Sequence, residues 1–69
     1  MTNFKATMIA EGVDEASAEE TLEAWAHLIK TGLAWTLQGW FGRTASSFID
    51  EGYITDKGII TEKGHIAIS

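Results

Sequence analysis

Ser17 stands three residues before Glu20, and the stretch after it places apolar side chains at Ala18, Leu22, Trp25, Ala26 and Ile29, in steps of three and four. In such a pair each side chain satisfies the other's free backbone amide, so the spacing marks a helix start, and the stripe gives that helix a face to bury. Glu19, Glu20, Glu23, His27 and Lys30 mostly point elsewhere, and Gly32 suits the position just past the helix end. This is the clearest helix start in the chain.

With 69 residues the chain forms one domain. That is close to the lower size at which one core folds without a metal, a disulfide or a partner, so a stability helped by association is expected. Before the capping pair, Phe4, Met8 and Ile9 fit a short helix over residues 3–11, stopped at Gly12. After Gly32, Leu33 to Leu37 reads as a turn or short helix, and a further helix runs from about Trp40 to Glu51, stopped by Gly52. A single helix from Leu33 to Glu51 would hold Gly39 and Gly42 inside it, at about 1 kcal/mol each relative to alanine, so the broken version is preferred. Leu37, Phe41, Ala45, Phe48 and Ile49 share one face in either case.

Beyond Gly52, Tyr53–Ile54–Thr55 and Ile59–Ile60–Thr61 are short β-favouring runs separated by Asp56, Lys57 and Gly58, the pattern of a hairpin. Glu62, Lys63 and Gly64 read as a second turn and His65 to Ile68 as a third short strand. The expected fold is mainly α within an α+β class, three or four short helices with a small C-terminal β-hairpin. Its order is shared with winged helix-turn-helix modules.

Composition narrows the chemistry. The chain has no cysteine, and its two histidines, His27 and His65, lack ligand spacing, so neither a cofactor nor a metal is expected. No apolar run approaches the roughly 20 residues that cross a bilayer, which points to a soluble, cytosolic protein. Ten acidic residues against five basic ones argue against binding nucleic acid by counterion release. Glu11, Asp14, Glu15, Glu19, Glu20 and Glu23 gather in one stretch, read either as a solvated helix entrance or as an acidic patch for a basic partner. No nucleophile–base constellation or phosphate loop is present, so the protein is not expected to be an enzyme.

The remaining candidates lie in TGLAWTLQGWFGRTASSFIDEG, residues 31–52. Trp25 and Trp35 read as core residues. Trp40 lies about 100° from Phe41 on a helix, at the edge of the buried face, and three positions before Arg43, so the two can form one exposed surface. Tryptophan and arginine are the types most enriched in binding hot spots. The alternative has Trp40 capping the core and Arg43 paired with Glu23 or Asp50. Gly39, Gly42 and Ser46 mark a groove free of large side chains, either for close approach of the first or second helix or for a partner's backbone. Trp40, Phe41, Arg43, Gln38 and Gly39 are thus the partner-binding candidates. A winged-helix DNA-binding regulator is the second reading, weakened by a would-be recognition helix that carries Arg43 and no second cation.

The run HLIKTGLAWTLQGWFGRTASSFIDEGY also resembles a segment of small proteins of tailed bacteriophages, with a TGxxWxLQGxxGRxA pattern carried here by Thr31, Gly32, Trp35, Leu37, Gln38, Gly39, Gly42, Arg43 and Ala45. The resemblance covers a little over a third of the chain. It implies expression in the cytoplasm of an infected bacterium and raises one class of function: a non-enzymatic accessory protein that binds and modulates a host or defence protein. Self-association is a third possibility.

Overall fold

The structure, a computed structural model, describes residues 1–68. The reciprocal cap forms as the spacing predicts: the Ser17 hydroxyl accepts from the Glu20 N–H at 3.1 Å, and the Glu20 carboxylate accepts from the Ser17 N–H at 3.1 Å. The Ser17 N–H, and then its side chain, hold the Glu20 carboxyl below its usual pKa. Because the folded value is depressed, this stabilisation is present above the ordinary carboxylate range and is lost as pH falls through the folded value. Helix α2 runs from there over Ala18–Thr31 and ends at Gly32, whose φ of 83° is left-handed.

Helix α2 is buried well beyond one stripe. Leu22, Ala24, Trp25, Ala26, Leu28 and Ile29 are all inside, which fits a central helix covered from more than one side. Helix α1, Asn3–Ala10, starts on a Thr2 cap and packs along α2, burying Ala6 and Ile9 while Phe4 stays exposed. Asn3 Oδ1 and His27 Nε2, 2.7 Å apart, tie the two helices together.

The chain breaks at Leu37 and Gln38, just before the two glycines that a continuous helix would have held inside it. Helix α3 is the single turn Leu33–Thr36, Leu37 is extended, and α4 spans Gly39–Asp50. Gly39 is therefore a first-turn residue rather than an interior one. Gly42 is interior: a Cβ there would sit 3.6 Å from the Ala34 carbonyl oxygen and 3.8 Å from the Trp35 ring. The close approach at Gly42 is thus made by α3, not by the first or second helix. Rings join α2 to α4, with Trp25 5.8 Å from Phe41, 5.7 Å from Phe48 and 6.2 Å from Trp40 between centroids.

The C-terminal third corrects the expected α+β fold. No strand ladder forms among the described residues; Ile54 and Ile60 make one isolated antiparallel bridge, and helix α5, Glu62–Ala67, occupies the place of the second turn and third strand. Among the described residues the protein is mainly helical, with five helices and no wing of a winged helix. Thr61 makes the switch. Its hydroxyl donates to the Gly52 carbonyl at 2.5 Å and accepts from the Gly64 N–H at 3.1 Å, so it anchors the segment to the end of α4 and caps α5. Gly58 tucks the connecting turn against α2, and Gly64 brings α5 onto the Tyr53 carbonyl oxygen and within 2.9 Å of Ile60, counted from the place of a Cβ.

The accessible surface is 4279 Å². Surface scaling gives about 4,250 Å² for a folded monomer of this mass, so the chain is as compact as an ordinary folded protein of its size. Replacing either close-approach glycine should be costly. Gly64→Ala and Gly58→Ala are each expected to lose about 1–3 kcal/mol in chemical denaturation, through overpacking. Gly12→Ala, with a φ of 77° and nothing within 4 Å of the new methyl, should lose only the left-handed backbone penalty of about 1 kcal/mol.

Candidate functional site

The turn between α3 and α4 shapes an open groove. Its lining includes Trp35, Leu37, Gln38, Gly39, Gly42, Arg43, Ser46 and Asp50, around a volume of about 500 Å³. Helix α3 is too short to bury two faces. It turns Ala34 inward and leaves Trp35 48% exposed beside Leu37, 37% exposed. The two glycines keep the floor low: a Cβ on Gly39 would meet the Arg43 guanidinium at 3.3 Å, so that guanidinium lies over Gly39. One cation, one tryptophan and one leucine thus line a groove with glycines in its floor.

The groove gathers three of the five candidate residues, Gln38, Gly39 and Arg43, and leaves two elsewhere. Phe41 is 3% exposed. It belongs to the core and cannot touch a partner directly. Trp40 is half-buried, stacked on Phe41 at 4.0 Å with rings 29° apart and edge-on to Trp25. That is the alternative reading, in which Trp40 caps the core. The exposed tryptophan is Trp35, which the sequence reading placed inside. Arg43 makes no ion pair with Glu23, with Asp50 or with any other described residue; the one ion pair among them joins Lys5 to Asp14 at 3.2 Å.

The acidic stretch is partly spoken for. Asp14 holds Lys5 and Glu20 closes the α2 cap, while Glu11, Glu15, Glu19 and Glu23 stay exposed. No cluster of three or more potential metal ligands occurs among the described residues. No helix among them is long and apolar enough to cross a membrane. A second, apolar notch of about 340 Å³ lies between Leu22, Phe48, Tyr53 and Ile68, and its lining carries no charge.

Among the described residues, fold and groove together form a small domain of five helices with a solvent-open surface cleft. The chain belongs to the family described as a domain of unknown function, DUF7417, whose model matches residues 1–69. No curated protein and no solved structure matches it.

The placement of the tryptophans can be checked by quenching. Acrylamide, which is uncharged, should quench one of the three indoles readily, and Trp35→Phe should remove that component; an equal loss from Trp40→Phe would contradict the arrangement. Trp40→Ala should cost about 2 kcal/mol of stability, below the range for a fully buried ring because Trp40 keeps part of its surface in water.

Proposed function

We propose that this protein is a non-enzymatic accessory protein that works by binding another protein, and that the α3–α4 groove is its contact surface. The observation carrying the reading is Trp35. Trp35 is nearly half exposed while Trp25, Trp40, Phe41 and Phe48 cluster inward, and beside an arginine with no ion-pair partner among the described residues it has the composition of a binding hot spot. The Arg43 guanidinium, laid over Gly39, is presented at the groove surface, and Gln38 offers both a donor and an acceptor at the rim.

Nucleic acid is a poor occupant. The groove holds one cation and a carboxylate, Asp50, and the whole chain carries a formal charge of −5, so phosphate contacts would release few counterions. The resemblance of residues 27–53 to tailed-phage proteins supports a setting in the cytoplasm of an infected bacterium, with a host or defence protein as the target. No cofactor enters this reading.

Capture from a bacterial lysate on immobilised protein tests it. A specific protein should be retained by the wild type and lost, by about 30-fold or more in affinity, on Trp35→Ala with Arg43→Ala, while the circular dichroism spectrum stays that of the wild type. Retention unchanged by the double substitution, or salt-sensitive capture of duplex DNA in place of a protein, would end the proposal.

A further inference from the structure

Helix α4 carries two charges, and neither complements its own dipole. Arg43 lies in the N-terminal half and Asp50 is the last residue, whereas a helix favours anions at its start and cations at its end. Nothing compensates: α4 has no acid in its first turn, no base in its last turn and no side-chain hydrogen bond from its N-cap, Gln38. Helix α2 has all three, with a capping box, Glu19 and Glu20 at its start and Lys30 at its end. Arg43 and Asp50 are exposed, and neither makes an ion pair among the described residues.

Their spacing adds a second constraint. Seven residues are close to two helical turns, so both side chains project from one face about 10 Å apart, with Ser46 and Ser47 between them. A face with a cation at one end, an anion at the other and small residues in the middle is complementary to itself when rotated by half a turn. A twofold contact has that requirement, since residue i must meet residue j while j meets i.

We infer that the groove takes a second copy of this chain, the two α4 helices lying antiparallel about an axis near Ser46 and Ser47, with Arg43 of each copy paired to Asp50 of the other. This rests on reading the groove as a protein-binding surface, and it names the occupant that the purified protein provides. The antiparallel arrangement sets the carboxylate of one copy toward the start of the other's helix and the guanidinium toward its end, so each charge meets the dipole it suits. The small side chains at the centre let the two backbones approach closely. A second copy and a different protein exclude each other from the same cleft, so dissociation of the dimer frees the surface.

Sedimentation equilibrium of the purified chain is the test. From about 1 µM to about 1 mM, a span that covers moderate and weak affinities, the wild type should shift from monomer toward dimer, and more weakly at high salt. Arg43→Asp and Asp50→Arg each place like charges opposite one another twice, and each should weaken self-association about tenfold or more with helicity unchanged. An equimolar mixture of the two single variants restores opposite charges at both contacts and should associate like the wild type, as should the chain carrying both changes. A wild type that stays monomeric throughout, single variants that associate as the wild type does, or a mixture no tighter than its components would overturn the dimer. These measurements contain one purified chain, so their failure leaves the lysate capture to stand or fall alone; a dimer with no captured protein would overturn the partner reading instead.

Discussion

The aromatic cluster on Trp25 holds the molecule together. Its indole is 4% exposed and touches three rings of α4, those of Trp40, Phe41 and Phe48. Such contacts combine large apolar burial with favourable ring geometry. They also fix how α4 is rotated. With Phe41, Ala45 and Phe48 turned toward α2, the opposite side of α4 must carry Gly39, Arg43, Ser46 and Asp50, which lie within a narrow arc at helical spacing. The outward groove is therefore a consequence of inward packing.

How much of this could be read from the amino acids depends on whether a signal was self-contained. The Ser17–Glu20 cap was legible because both partners lie within one turn and satisfy each other without help from elsewhere. The break before α4 was legible for a similar reason, since glycine weakens a helix wherever it is placed. The exchange of roles between Trp35 and Trp40 was not. Periodicity gives the angle between side chains on a helix, but Trp40 sits near the boundary of its buried face, and only the position of Trp25 across the interface decides that it is covered. Trp35 was assigned to the core for its size; α3 has a single turn, and Ala34 takes its inward position. The groove itself was half visible, as a small-residue stripe with Arg43, without the α3 wall that gives it depth.

The C-terminal third shows the opposite failure, where a true local preference loses to tertiary contacts. Tyr53 to Thr61 has the composition of two strands and forms the hydrogen bonds of a tight turn, with Thr55 donating its N–H to the Ile59 carbonyl at 2.8 Å. A two-stranded pairing is marginal by itself, and no third strand forms among the described residues. Burial of Ile54, 1% exposed, and the tuck of Gly58 against α2 stabilise a single bridge instead. Gly64 was misleading because glycine marks turns more often than helices. Here its missing side chain is what lets α5 lie on the Tyr53 carbonyl. A signal was available in Thr61 followed by Glu62, a capping residue and a first-turn acid, though an α5 of 6 residues depends on its surroundings rather than on propensity.

The distribution of charge separates the surface used for folding from the surface left over. Lys5 and Asp14 pair near α1, Glu20 closes α2, and Lys63 donates to the Glu51 carbonyl at 2.6 Å while lying 4.9 Å from the Tyr53 ring centre. Those groups stabilise elements of the fold. Arg43 and Asp50 have no such part: Asp50 ends its helix where the dipole disfavours an anion, Arg43 is the fifth residue of that helix, and both are exposed on the cleft that also shows Trp35. Charges that serve no element of the fold are available for a contact outside the chain. An adjoining polypeptide that supplies opposite charges at the same spacing turns that local cost into a binding contribution, and the α4 face provides the spacing for it.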